Sequence, residues 1–464
     1  MPLPTADQPR PTSAPRRAGW GRVIMLRPRA APDAPPSARD HAQRFALALF
    51  IVTAVGTVLL ALPVMTVSQR ATSPIDALFT AISAVSTTGL SVVDTFDHWN
   101  WWGQLVVLAL IQIGGLSFSV GASILLQMLR RGAAAYTLRD ELLLKDGAPA
   151  LSLQEAVSLG GRIIRFTVFA EVIGAAALTL WFIVVAGLAP LDALWRGLFF
   201  AIAAFCNAGF ALLGGIHSGH PVATDLWVNL VLMVLIQAGA LSYITLADAK
   251  RARRWSALTL DAKLVLSANA VFLAAGMIVM LAAEWGTALA TLSPQNKLLA
   301  ALFQSVSART AGFNTIDWSL ANPLTLFFWL GIMFVGGAAG STAGGVSLNT
   351  VGVVAAAVTS TLRGHPDTRV WNRRIATPIV FRAVTLLVLF ALIFSLGTVV
   401  LAAVEHHLAN RDFTMIDLMF ETMSALSTTG ISTGITATLT TLGKLVLCVL
   451  MFVGRLGPLT VVYA

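Results

Sequence analysis

Four short segments carry the residues from which chemistry could be built. They are Ser86-Thr87-Thr88-Gly89-Leu90, Cys206-Asn207-Ala208-Gly209-Phe210, Arg309-Thr310-Ala311-Gly312-Phe313 and Ser427-Thr428-Thr429-Gly430-Ile431. Glycine reaches backbone angles closed to other residues, and small Ser, Thr, Ala and Asn neighbours let several turns converge on one axis. Turned inward, the carbonyl oxygens of such turns could replace the water around a bare alkali cation, as in K⁺ filters. A helix placed before each turn would aim its negative C-terminal end at the same point and favour a cation there. One Gly at a helix end is usually only a cap; four in matched surroundings call for more than capping.

The surroundings do match. Asp76, Phe79, Ser83-Ala84 and Ser86-Thr87-Thr88-Gly89 fall in register with Asp417, Phe420, Ser424-Ala425 and Ser427-Thr428-Thr429-Gly430. Leu198 to Phe210 and Leu302 to Phe313 supply two further copies, the third one residue shorter between its Phe and its Gly. The glycines recur about every 100 to 120 residues, an internal repeat.

These turns must be positioned by the elements around them. Each copy reads as a long apolar span, a short semi-polar helix, a Gly turn and a second long span; Phe45 to Met65 and Gln104 to Met128 are examples. The chain is 56% hydrophobic and 11% charged over 464 residues, against about 25% charged in a soluble domain. A single buried core of this size is also ruled out, since cores stop growing near about 300 residues. The pattern predicts an all-α integral membrane protein in which four span–pore-helix–span repeats surround one pore in pseudo-fourfold fashion. Non-helical backbone at membrane depth survives only where protein or water satisfies it. Four hairpins around one axis provide that.

Charge sets the orientation. With the N-terminus inside, the tail and the linkers Arg130–Arg165, Lys250–Lys263 and Arg363–Arg382 hold 24 of the 31 Lys and Arg, and the outer segments hold six. This is a positive-inside bias over eight spans, so the net charge of +9 needs no nucleic-acid partner. The expected segmentation is a basic, disordered cytoplasmic tail over 1–44, with nine prolines and eight arginines, then repeats over 45–130, 131–250, 251–362 and 363–464.

Two further features stand out. From Leu324 to Leu362 the chain is apolar or weakly polar for 39 residues, yet Gly336, Gly337, Gly340, Gly344 and Gly345, with Ser341 and Thr342, fall within ten residues at its middle. Such a run breaks a helix and reads as a gating loop beneath the turns; its four-residue Gly spacing also suits close helix packing. Arg455 is the one Lys or Arg placed inside a predicted span. A charge there costs about 3 kcal/mol or more, so it reads as a barrier facing the pore, with snorkelling to headgroups as the rival. Asp76, Asp417 and Glu421 lie on the short helices, and Glu421, the deepest, reads as support for the fourth turn.

These motifs, together with Gly336 to Gly345 and Gly454-Arg455-Leu456-Gly457-Pro458-Leu459-Thr460, resemble the Trk/Ktr/HKT superfamily of K⁺ transporters over nearly everything after Phe45. Without two extra leading spans, the likeness is greatest to the Ktr-type membrane subunit. The resemblance implies a multi-pass protein of the inner (plasma) membrane with K⁺ as transported ion and Na⁺-stimulated flux as a family trait. It also implies a homodimer docked on a cytoplasmic RCK-type regulatory ring, where nucleotide binds the partner and not this chain. On it, the filter comprises Thr87, Thr88, Gly89, Asn207, Ala208, Gly209, Thr310, Ala311, Gly312, Thr428, Thr429 and Gly430. K⁺ would be held by their backbone carbonyls.

Other classes fit less well. Cys206 and Cys448 carry no metal or disulfide spacing, and no catalytic carboxylate pair, nucleophile–base pair or phosphate loop is visible, so no enzyme is expected. A secondary transporter of another cation or a small solute, including Na⁺ permeation or Na⁺-coupled transport, is the remaining alternative. Such folds usually repeat inverted units around broken midplane helices.

Overall fold

A bilayer core offers no water to unpaired N–H and C=O groups, so an apolar chain crossing it must close its hydrogen bonds within helices. The computed structural model describes residues 38–134, 153–212, 221–371, 373–409 and 412–457. Most of the expected tail lies outside these residues, but helix α1 already begins at Ala38, ahead of the expected boundary at residue 45.

Helices dominate. They are α1 (Ala38–Ala61), α2 (Pro74–Val85), α3 (Thr95–His98), α4 (Trp101–Ala134), α5 (Leu153–Val184), α6 (Pro190–Phe205), α7 (Pro221–Thr224), α8 (Leu226–Ala240), α9 (Tyr243–Ala252), α10 (Leu260–Glu284), α11 (Pro294–Ser307), α12 (Pro323–Phe334), α13 (Leu348–Leu362), α14 (Thr377–Ala402), α15 (Met415–Leu426) and α16 (Thr441–Leu456). A π-helical turn, Ala403–Leu408, extends α14. The two-residue strands β1 (Arg369–Val370) and β2 (Arg373–Arg374) form a small hairpin between α13 and α14.

Among the described residues, three helical segments are long and apolar enough to cross a membrane: Ser158–Val184, Leu260–Glu284 and Thr377–His406. The pair α8 and α9, bent by 97°, would make a fourth. Side chains such as Phe169, Val184, Leu396 and Phe381 stand exposed on the outside of the bundle. An apolar exterior of this kind marks a surface that faces lipid.

Packing follows a recurring plan. Each of α1, α5, α10 and α14 packs on the short helix that follows it: α2, α6, α11 and α15. Four further contacts run from one unit to the next: α4 on α6, α8 on α11, α12 on α15, and α16 back on α2. The core sits around the short helices; Phe79, Phe199, Phe303 and Phe420 are all fully buried.

Candidate functional site

The short helices are started by local chemistry. Pro74, Pro190 and Pro294 occupy first-turn positions, where proline's missing N–H is no loss. Ser293 and Thr414 cap α11 and α15 through their side chains. Asp76, Asp192 and Asp417 lie in first turns, where the helix dipole favours them. Asp76 also pairs with Lys444 on α16 at 2.9 Å.

The C-terminal ends stop alike. Ser86, Cys206, Ala308 and Ser427 remain right-handed. Thr87, Asn207, Thr310 and Thr428 then take φ of 52°, 55°, 71° and 50°, and Gly89, Gly209, Gly312 and Gly430 take 91°, 67°, 78° and 87°. A left-handed non-glycine residue costs roughly 1–2 kcal/mol, and β-branched Thr is an unusual choice for it. Three Thr and one Asn bear that strain at matching places, and backbone strain of this kind gathers at functional sites.

The third turn explains its missing residue. Ser83 Oγ donates to Leu90 O at 2.6 Å and accepts from Gly89 N; Ser424 Oγ accepts from Gly430 N. Ser307 Oγ donates to Phe313 O at 2.6 Å across one fewer residue. Turn and helix are therefore both kept, and the deletion falls between Ser307 and Gly312.

The four turns meet. A Cβ built on Gly89 would lie 2.5 Å from Ala208 O, and one on Gly209 would lie 3.0 Å from the Gly312 Cα. On Gly312 it would lie 2.5 Å from Thr429 O, and on Gly430 1.9 Å from Thr88 O. Each turn thus abuts the next and the last abuts the first. All four glycines line a cavity of about 270 Å³, together with Leu90, Phe210, Phe313 and Ser432 and with Asp94 and Asp317.

Beside each glycine sits an unpaired oxygen. Thr87 Oγ1, Asn207 Oδ1, Thr310 Oγ1 and Thr428 Oγ1 are buried and make no hydrogen bond within the described residues. Leaving a buried polar group unsatisfied costs about 1–3 kcal/mol, and native structures rarely do so. A dehydrated cation is a ligand such oxygens suit.

The glycine-rich run lies directly against this site. The chain is non-helical from α12, which ends at Phe334, to α13, which begins at Leu348, so Gly336, Gly340 and Gly344 do not form a helical packing stripe. Gly336 N donates to Val346 O at 3.0 Å and closes the neck of the loop. Ala338 N and Thr342 N donate to Ala240 O and Gly239 O at 2.8 and 3.2 Å, and Ala339 N donates to Asn349 Oδ1 at 2.8 Å. Gly344 sits against the fourth turn, where a Cβ would fall 2.0 Å from Thr428 Oγ1. Gly337, Ser341 and Gly345 belong to the same packed segment.

Arg455 is fully buried. Its Nη1 donates to Thr342 O and its Nη2 to Gly114 O, each at 2.8 Å. Its guanidinium therefore faces protein, not headgroups. Glu421 is equally buried: Oε1 accepts from Ser432 Oγ at 2.5 Å and Thr433 N at 3.2 Å, and Oε2 from Thr436 Oγ1 at 2.7 Å. It thereby holds the strand of chain that leaves Gly430.

Several participants were missed in the sequence. Gly114, Gly239 and Gly454 let α4, α8 and α16 approach Val85 O, Phe205 O and Leu426 O, where a Cβ would fall 1.9, 1.9 and 2.0 Å away. Their shared setting, Gln112-Ile113-Gly114 against Gln237-Ala238-Gly239, was the available signal. Arg309 is fully buried and donates to the Asn269 side chain, which in turn donates to Gln237 at 3.1 Å. Gln112 likewise donates to Glu171 at 3.1 Å behind the second turn.

The helix ends thus converge on left-handed turns with buried acceptor oxygens, inside an apolar exterior. A family model described as "TrkH: Cation transport protein" matches residues 28–464. The chain is 35% identical to the Ktr system potassium uptake protein B of Bacillus subtilis, over 91% of this chain and 92% of that one. It is also 35% identical to the potassium/sodium uptake protein NtpJ of Enterococcus hirae, over 91% and 92%. The crystal structure of the potassium transporter TrkH from Vibrio parahaemolyticus superimposes with a TM-score of 0.69, at 18% identity over 92% of this chain and 84% of that one, a likeness of fold. The chain belongs to the TrkH family of cation transport proteins.

Proposed function

We propose that the protein takes up K⁺ across the plasma membrane as the pore-forming subunit of a Ktr-type system. The reading rests above all on one observation: four left-handed turns close on one another, each with a buried oxygen that has no partner among the described residues. In this reading the four units surround one pseudo-fourfold pore of eight spans, counting α8–α9 and α12–α13 as one broken span each. Thr87 to Gly89, Asn207 to Gly209, Thr310 to Gly312 and Thr428 to Gly430 form the filter. The helix C-termini and carbonyls supply the negative field that a K⁺ ion needs on losing its water.

Below the filter, the loop from Gly336 to Gly345 acts as a gate and Arg455 as a fixed positive barrier that also latches it. The cavity lined by Asp94 and Asp317 becomes the outer vestibule, and the N-terminus and basic linkers lie in the cytoplasm. The chain works as a homodimer on a cytoplasmic RCK-type ring, whose nucleotide moves the loop. Entry of K⁺ is driven by the electrochemical gradient, with no covalent step. The test is growth on low K⁺ of a strain lacking K⁺ uptake, with the chain expressed alone and with a regulatory subunit. Rescue that depends on the chain supports the reading; none, from well-expressed membrane protein with either arrangement, refutes it.

A second reading, Na⁺ permeation or Na⁺-coupled transport, is favoured by one observation: a relative at 35% identity is named a potassium/sodium uptake protein. Ion-substituted flux separates the two.

A further inference from the structure

The glycine-rich loop touches the second turn through a side chain, and this contact has a direction. Thr342 Oγ1 donates to Phe205 O at 3.0 Å and lies 2.9 Å from Asn207 Nδ2. Phe205 is the last residue of α6, so its carbonyl has no partner within the helix. Gly239 keeps the space open, since a Cβ there would lie 1.9 Å from Phe205 O and 2.7 Å from Thr342 Oγ1. A carbonyl only accepts, and a threonine hydroxyl has one proton. Once that proton goes to Phe205 O, the hydroxyl can only accept from its other neighbour. Asn207 must then present its NH₂ edge to Thr342. Its Oδ1 is left on the opposite edge, buried and without a partner among the described residues, like Thr87 Oγ1, Thr310 Oγ1 and Thr428 Oγ1.

Asn207 differs from its three counterparts in one respect. A hydroxyl oxygen can offer a lone pair to a cation in any rotamer. An amide offers an acceptor from one edge and two donors from the other. Rotated by half a turn, Asn207 would meet a cation with N–H groups.

We propose that Thr342 is a positioning residue for the filter: its hydroxyl, committed to Phe205 O, fixes the Asn207 amide so that its oxygen, not its nitrogen, is offered to the transported cation. The inference rests on the filter reading given above. It also joins loop and filter in one device. The backbone carbonyl of Thr342 accepts from Arg455 and its side chain orients Asn207. For the restraint to act on a passing ion, Thr342 keeps its contact with Phe205 O and Asn207 when the loop opens.

The test uses the purified full-length chain in liposomes, with K⁺ and Na⁺ flux measured separately in Thr342→Val, which keeps the side-chain shape and removes the hydroxyl. The expected result is a K⁺ over Na⁺ ratio lowered roughly tenfold, equivalent to about 1.4 kcal/mol. Thr342→Ser, which keeps the hydroxyl, should hold the wild-type ratio; it and Thr342→Ala carry the comparison if the valine variant does not fold. In an Asn207→Thr background, where no amide remains to orient, Thr342→Val should leave the ratio unchanged. A wild-type ratio in folded Thr342→Val, or an equal loss with and without Asn207, overturns the positioning role. Asn207→Asp separates the two failures. If it shifts the ratio while Thr342→Val does not, only this inference falls. If neither moves the ratio, the filter reading falls with it.

Discussion

On the proposed reading, replacing Arg455 by Gln removes both a barrier and a latch. The guanidinium is fully buried and spends one nitrogen on Thr342 O and another on Gly114 O, each at 2.8 Å. The bond to Thr342 O ties the arginine to the loop, and the bond to Gly114 O steadies it against α4. A hydrogen bond to a charged group contributes about 1.5–3 kcal/mol net. At 1.4 kcal/mol per factor of ten, losing it shifts the loop's open-to-closed ratio roughly ten- to a hundredfold. The charge acts in the same direction. A K⁺ ion passing at about 4 Å meets a repulsion of about 4 kcal/mol at an effective dielectric of 20. Arg455→Gln is therefore expected to raise K⁺ flux per folded molecule at least tenfold in proteoliposomes and to weaken control by the regulatory subunit. Arg455→Lys keeps the charge but lacks the planar fork that spans two carbonyls, so its increase should be smaller. Wild-type flux and wild-type regulation in folded Arg455→Gln would refute both roles.

Three other outcomes are expected. Gly89→Ser forces a side chain onto a residue at φ 91°, with its Cβ 2.5 Å from Ala208 O, and should lower K⁺ over Na⁺ discrimination in flux assays; unchanged selectivity in folded protein would remove Gly89 from the filter. Shortening Gly336 to Gly345 should raise flux per folded dimer and uncouple it from the regulator, whereas normal or lower flux would speak for a purely structural loop. Glu421→Leu removes the acceptor of the Ser432 hydroxyl and of the Thr433 N–H, while Thr436 Oγ1 keeps Ser432 Oγ at 2.9 Å, which should cost about 1–3 kcal/mol; thermal unfolding in detergent reads this, and an unchanged midpoint would count against the role.

Much of this arrangement was legible because its causes are local. Apolar length, Pro74 and Pro190 at helix starts, and glycine after each short helix are written into neighbouring residues. Family membership followed from the same motifs. What could not be read depends on contacts between distant residues. The start of α1 at Ala38 lies in a stretch with Arg39, Asp40 and Arg44, which hydropathy alone assigns to the tail. The register of the third turn needed the bond from Ser307 to Phe313 O, since the letters show one residue fewer between Phe303 and Gly312 but not how the turn closes without it. The partners of Arg455 lie 113 and 341 residues away. Thr342 looked like one polar residue in a glycine run, and only the fold brings it to Asn207, 135 residues off. The close approaches that Gly114, Gly239 and Gly454 permit appear only where another backbone passes within contact, since neither the Gln-x-Gly setting of the first two nor the motif around Gly454 says what lies opposite.

The central claim is that the four turns together conduct K⁺, and Gly312 tests it most directly. Its Cα lies where all four turns meet, with an added Cβ 2.5 Å from Thr429 O, 3.1 Å from the Gly209 Cα and 3.2 Å from Thr88 O. K⁺ uptake into liposomes holding the purified chain should be robust for the wild type and abolished in folded, monodisperse Gly312→Asp. Uptake at the wild-type rate by that variant would show that the ion does not pass between these turns.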